Sequence, residues 1–190
     1  MKRILFTFMF LVFSGFTPEK YLLPSSLVVI DESARILAAQ VGVEEVGQNR
    51  GPNIFEYQKS VGIPPGSPYC AAGQYYCFWR AVQNLNIPTS YIPIKRTGLA
   101  YEIYLWAKQR GKKSTFKPLL HDLIVWRKRT GINGHIERIV EVKDKGWVET
   151  IGFNVRKGNK SGVFQKLRNI YHPLQQMVII GLVGFEYGRR

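Results

Sequence analysis

A cysteine begins a long apolar segment of this 190-residue chain. Cys70 follows the Pro- and Gly-rich stretch 62–68, which ends any earlier helix because proline cannot donate a backbone hydrogen bond. Residues 70–85 have apolar side chains at helical spacing on almost every side, which predicts a helix buried on most faces. Unpaired N–H groups and the macrodipole at a helix start favour thiolate over thiol. Cys70 is therefore the candidate nucleophile, with a small buried apolar residue as the alternative.

The second cysteine of the chain, Cys77, lies seven residues further along the same predicted helix. Seven residues make two helical turns, which separate the two residues by roughly 10 Å. That separation is too large for a disulfide within the helix. We therefore predict two free thiols, one reactive and one packed.

A thiolate nucleophile needs a nearby base, and the chain has three histidines. His121 precedes a predicted strand and His172 lies in a turn-like Tyr-His-Pro context, so both are expected at the surface. His135 opens a predicted strand directly after a glycine, where its ring can lie at the rim of a sheet. We predict that Cys70 and His135 form the pair, since a strand that begins with His can face a helix that begins with Cys. No cofactor or metal is expected, because the thiols and imidazoles never occur in short paired ligand spacings.

The N-terminus indicates export. A basic start is followed by a largely apolar run at 4–16, which is too short to span a bilayer comfortably and is typical of a signal-peptide core. We predict that residues 1–20 are a signal peptide or an uncleaved N-terminal anchor. Residues 21–190 are then a single domain in the periplasm, in the cell envelope or outside the cell.

The formal net charge is +14, and most of it lies outside the predicted signal segment. A basic surface favours an anionic partner such as nucleic acid, acidic lipid or the bacterial wall, although it can also serve solubility alone. Export argues against nucleic acid. Membrane contact is expected only if the N-terminal segment is uncleaved, and the chain is expected to act as a monomer.

The order of the predicted elements indicates the fold class. Helices are predicted at 26–42, at 53–61 with Asn53 as the N-cap, at 70–85 and at 97–109, and strands at 122–127, 135–142, 147–154, 162–170 and 177–185. Helices followed by a strand meander predict an α+β domain in which N-terminal helices pack on an antiparallel sheet.

Five short segments occur in an order typical of one enzyme family. They are residues 43–52 with Tyr57, residues 69–72 with Cys77, residues 122–126 followed by 134–136, residues 162–164 with Arg168, and residues 184–185. Together they resemble the CHAP-type (cysteine, histidine-dependent amidohydrolase/peptidase) cell-wall hydrolases over about residues 35–186. The resemblance implies a papain-like cysteine peptidase core. It also implies cleavage of an amide in peptidoglycan, either the N-acetylmuramoyl–L-alanine bond or a bond in the stem or cross-bridge.

The chain departs from this family where a third polar residue should orient the histidine. Residues 150–154 match the family's T-I-E-G-N only at Thr, Ile and Asn, and Gly152 replaces the acid. The resemblance then makes Asn154 the best candidate, ahead of Glu149, whose strand parity differs from that of Asn154. Glu137 stands where the family usually has a small residue, and on a straight strand it shares the face of His135. His121 likewise stands where a glycine usually precedes the aspartate.

The resulting hypothesis is nucleophilic acyl transfer. Cys70 attacks the amide carbonyl, His135 transfers the proton, and Asn154 orients His135, while N–H groups at the helix start stabilise the oxyanion. Tyr69, Asn49 and Tyr57 are candidates to line the cleft, with packing or loop capping as their alternative roles.

Two other functions are compatible with the sequence. The absent acid at Gly152 is compatible with a catalytically weak or inactive basic wall-binding protein. A secreted cysteine protease or amidase that acts on protein would use the same residues.

Overall fold

The computed structural model describes residues 17–187 as a mixed α+β arrangement. The apolar run at 4–16, on which the signal-peptide prediction depends, lies outside the described residues. Within that range no helix has both the length and the apolar character needed to cross a bilayer. The elements are β1 (Glu19–Ser25), α1 (Leu27–Ala39), α2 (Pro52–Val61), α3 (Cys70–Asn84), α4 (Ala100–Arg110), β2 (Lys112–Ser114), β3 (Leu123–Lys128), β4 (Gly134–Val142), β5 (Trp147–Lys157), β6 (Lys160–Asn169) and β7 (Met177–Tyr187).

The seven strands form one sheet in the order β2-β1-β7-β3-β4-β5-β6. The predicted meander is confirmed for β3 to β6, where each strand pairs antiparallel with the next. The prediction of a wholly antiparallel sheet is wrong at one place, because β1 runs parallel to β7. The four helices and strands β2 to β6 lie between β1 and β7 along the chain, so no hairpin turn constrains this pair to be antiparallel.

The described fold begins earlier than the predicted domain boundary at residue 21. β1 starts at Glu19, and its second residue, Lys20, is only 1 % exposed. The Lys20 ammonium donates to Asp122 and to the carbonyl of Lys117, which ties β1 to the chain just before β3. Residues 19 and 20 are therefore part of the sheet, whereas the end of the predicted signal segment stays a prediction.

The predicted N-cap of the second helix is also wrong. α2 begins at Pro52, and its N-cap is Gly51 at φ 141°, a conformation that side chains rarely permit. Proline suits the first helical position, because its missing N–H would have had no partner there. Asn53 is therefore already inside the helix.

α3 is the central helix, as its nearly continuous apolar surface predicts. Its residues belong to two core clusters, one shared with α1, α4, β1, β3, β4 and β7 and the other shared with α1, α2, β5 and β6. Gly73 sets the approach to the sheet, since a Cβ at this position would collide with the ring of Phe153 on β5. This close contact fixes the start of α3, and with it Cys70, relative to strands β4 and β5.

Candidate active site

Cys70 is the first residue of α3, and its thiol is directed to a cavity. The side chain of the preceding Tyr69 makes no capping hydrogen bond, and the helical ladder begins with the Gly73 N–H donating to the Tyr69 carbonyl at 2.8 Å. The first-turn N–H groups therefore have no acceptor within the helix. Cys70 is 5 % exposed and lines a cavity of about 620 Å³. A buried sulfur with one open side and free N–H groups beside it is suited to nucleophilic attack on a carbonyl.

His135 is the second residue of β4 and meets Cys70 at the end of the sheet. The Cys70 sulfur lies 3.9 Å from the carbonyl oxygen of Gly134, the residue before His135. The imidazole is 8 % exposed and packs beside the Trp126 ring, with centroids 5.9 Å apart. Burial alone would lower the pKa of His135, but the neighbouring Cys70 sulfur and the hydrogen bond to Glu137 outweigh it and raise that pKa to about 9. The site therefore favours an imidazolium next to the sulfur.

Glu137 occupies the place at His135 that the sequence assigned to Asn154. Its Oε1 lies 2.9 Å from His135 Nε2, and the side chain is completely buried. Arg168 donates to both carboxylate oxygens at 2.6 and 2.9 Å, and the Thr150 hydroxyl donates to Oε2 at 2.5 Å. Burial opposes ionisation of Glu137, but His135 and Arg168 outweigh it and lower its pKa. The carboxylate can therefore fix the tautomer and orientation of His135.

Gly152 is the direct cross-strand neighbour of Glu137. The two Cα atoms are paired in the β4–β5 register. A Cβ at position 152 would lie 2.9 Å from the Glu137 carboxyl carbon. Val155 Cγ1 would lie 2.8 Å from the same Cβ, so the side chains of Glu137 and Val155 together fill the space that any side chain at 152 would need. The Glu137 carboxylate therefore lies beside position 152, on the neighbouring strand.

Asn154 does not bond to His135, so the predicted orienting role is wrong. The register of β5 shifts between Gly152 and Val155, and Asn154 has φ 58° in that irregular segment. Its amide donates to Glu45 at 3.1 Å and to Asn49 at 2.7 Å. Asn154 nevertheless lines a second cavity, of about 470 Å³, together with His135.

The three predicted cleft residues have the alternative, structural roles. Tyr57 and Tyr69 are fully buried, and their rings pack 5.9 Å apart. Tyr69 also donates to Glu45 at 3.0 Å, and Asn49 donates to the Gly66 carbonyl at 3.1 Å. The predicted cleft contact of the two tyrosines is therefore wrong, and Asn49 holds the loop before α3 in place.

The remaining candidates lie away from the pair. Glu149 is near Lys143 and Gln165, on the part of β5 remote from His135. His172 is exposed, as predicted, whereas His121 is half-buried, and burial and the charge of Arg138 lower its pKa to about 4. Within residues 17–187, no set of three His, Cys, Asp or Glu side chains is arranged to hold a metal ion.

Both cysteines are free, as predicted. Cys77 is completely buried two turns after Cys70, and burial raises the pKa of its thiol to about 12. It is therefore the packed thiol of the two.

Comparison of the chain with protein-family models, with curated proteins and with solved structures finds no match.

Proposed function

We propose that this protein is a cysteine-dependent amidase or peptidase. The observation that carries the proposal is the arrangement of Cys70, His135 and Glu137. The buried Glu137 carboxylate binds the His135 imidazole, which neighbours the Cys70 sulfur at the start of α3. These residues supply, in that order, a nucleophile, a general acid and base, and an orienting group. The packing of α3 against antiparallel strands is compatible with the papain-like core that the sequence resemblance implies.

In the proposed reaction, Cys70 is the nucleophile, His135 transfers protons and Glu137 orients His135. The Cys70 sulfur attacks the carbonyl carbon, and N–H groups of the first turn of α3 stabilise the oxyanion. His135 gives its proton to the leaving nitrogen, so the C–N bond breaks and a thioester remains. Water then attacks the thioester with His135 as the base, which releases the acid and restores the sulfur. Glu137 holds the imidazole in both steps.

We further propose that the substrate is peptidoglycan and that the protein acts outside the cytoplasm. The support is the order of CHAP-like segments, the apolar N-terminal run and the net charge of +14, which suits an anionic wall polymer. The alternative of an inactive wall-binding protein depended on the missing acid at Gly152. Glu137 now provides a carboxylate at the same place, which removes that motive.

The test has two readouts. First, iodoacetamide near neutral pH should modify Cys70 and leave Cys77 unmodified, and His135→Ala should abolish the fast reaction. Second, mass spectrometry of digested peptidoglycan should show new amino and carboxyl ends with wild type and none with Cys70→Ser. Equally slow labelling of both thiols would overturn the enzyme proposal. Cleavage of a protein such as casein, with no release from several wall types, would overturn the wall substrate alone.

A further inference from the structure

The cavity beside Cys70 has positive charge on more than one side. Its wall includes Arg96 and Lys128, together with Cys70 itself and with Leu99 and Ala100 at the start of α4. Arg96 also borders a neighbouring cavity that is lined by Glu56. No aspartate or glutamate lines the cavity beside Cys70. The chain has 13 acidic residues in all. The lack of a carboxylate in this wall is therefore a property of the cavity and not of the overall composition.

Arg96 is held in place before any ligand arrives. Its Nε donates to the carbonyl of Ser60 at 2.8 Å. Within the part of the chain that the structure describes, neither Arg96 nor Lys128 makes an ion pair. The two terminal nitrogens of the guanidinium are thus free for a planar acceptor, and a carboxylate matches that geometry.

The start of α4 adds a second positive element. Leu99 is the N-cap of this helix, its side chain makes no capping hydrogen bond, and both Leu99 and Ala100 line the cavity. The acid in the first turn, Glu102, is paired instead with Lys95 at 2.9 Å. The Leu99 N–H already donates to Thr97 Oγ1 at 3.1 Å, so the N–H groups of the turn that follows Leu99 reinforce the attraction of the two cations for an anion.

We propose that this cavity binds a free carboxylate of the substrate, so that the enzyme prefers peptides with a carboxylate near the scissile bond over the corresponding carboxamides. This inference deepens the proposed function and rests on it. The apolar parts of the wall, Ile63 and Leu99, would contact the aliphatic portion of the same residue.

The test measures alkylation of Cys70 and does not need hydrolysis. Two bromoacetyl dipeptides are compared, identical except that one ends in a carboxylate and the other in a carboxamide. The measured quantity is the ratio of their second-order rate constants with the full chain at low salt. In wild type we expect the carboxylate probe to react faster. Arg96→Gln should lower the ratio about three- to tenfold and Lys128→Gln less, and 0.5 M salt should lower it in wild type, since salt screens exposed charges.

Two variants serve as controls for charge and for position. Arg80→Gln removes the same charge from the exposed end of α3, away from the cavity, and should leave the ratio unchanged. Arg156→Gln removes a charge from the cavity on the His135 side, and its effect should be smaller than that of Arg96→Gln. Thermal melting of each variant establishes that it is folded.

Three outcomes overturn the inference. A ratio that is the same in wild type and in both Arg96→Gln and Lys128→Gln overturns it while the proposed function stands. An equal fall in Arg96→Gln and Arg156→Gln overturns the assignment to this cavity. If neither probe alkylates Cys70, both this inference and the proposed function fail.

Discussion

Two buried carboxylates join neighbouring parts of the same sheet, and they differ in what surrounds them. Asp122 meets the Lys20 ammonium at 2.6 Å and the Leu119 N–H at 2.8 Å, and both charged side chains are sealed from solvent. Glu137 is equally buried, but its partner His135 lines a cavity of about 470 Å³. One pair is closed on all sides, whereas the other reaches solvent through the imidazole.

The number of donors explains why the two carboxylates differ in acidity. Burial dominates at Asp122 and raises its pKa to about 6, although Lys20 opposes this. Around Glu137, His135 and Arg168 outweigh burial and lower the pKa. A carboxylate that stays ionised can stabilise an imidazolium. Glu137 with its partners His135, Arg168 and Thr150, here called the Glu137 cluster, is therefore suited to catalysis. The Asp122–Lys20 pair is suited to holding β1 in the sheet.

The largest expected effect comes from breaking the sealed pair. Lys20→Met leaves Asp122 buried without its cation, which should lower the free energy of unfolding by about 3–5 kcal/mol. Urea denaturation measures this loss. Lys112→Met on β2 is the matched control, because Lys112 is exposed and reaches Glu186 only at 3.9 Å, and its effect should stay below about 1 kcal/mol. A loss below about 1 kcal/mol for Lys20→Met would show that the sealed pair does not hold β1.

The second prediction breaks the Glu137 cluster. Glu137→Gln keeps the shape but removes the negative charge that stabilises the imidazolium, and it leaves Arg168 with one acceptor fewer. We expect kcat/KM on peptidoglycan fragments to fall about 100-fold. Glu149→Gln should remain near wild type, because Glu149 lies remote from His135. Equal activities of the two variants would contradict an orienting role for Glu137.

The third prediction returns the acid to the neighbouring strand. Glu137→Gly alone should lose activity as Glu137→Gln does, and Gly152→Glu alone should fail because the Glu137 and Val155 side chains fill its space. The double variant should regain about tenfold over Glu137→Gly, since position 152 faces the vacated space directly. Kinetics of all three variants measure the coupling, and a double variant no better than Glu137→Gly would show that position 152 cannot supply the acid.

The sequence predicts the helices and strands of this structure better than it predicts irregular segments and long-range contacts. α3 and strands β3 to β7 follow from apolar periodicity, and their observed bounds lie within a few residues of the predictions. Parity along β4 already placed Glu137 on the face of His135, so the orienting carboxylate had a visible signal. The family resemblance favours positions 152 and 154 instead, because its T-I-E-G-N segment places the orienting residue there.

Two other features, the position of Asn154 and the strand β1, could not be predicted from neighbouring residues. The register shift between Gly152 and Val155 depends on pairing with β6, so counting residues along β5 could not show where Asn154 lies. β1 is not predicted, because residues 19 and 20 fall within the predicted signal segment. Lys20 also resembles a surface residue until the fold brings Asp122, more than a hundred residues away, next to it. Long-range charge pairs of this kind are set by the tertiary fold and not by the residues next to them.

The smallest expected effect concerns pH. The folded-state pKa of His135 is raised to about 9 from 6.5. The imidazolium therefore contributes stability that is fully present below about pH 6.5 and is lost as pH rises through about 9. We expect the free energy of unfolding to fall by about 1 kcal/mol between about pH 8 and 9.5, with a parallel loss of hydrolytic activity. His135→Gln should show a flatter stability profile over this range, and urea denaturation at several pH values compares the two. A wild-type profile as flat as that of His135→Gln would mean that the Glu137 cluster does not stabilise the imidazolium. The cluster would then be a structural contact, like the sealed Lys20–Asp122 pair.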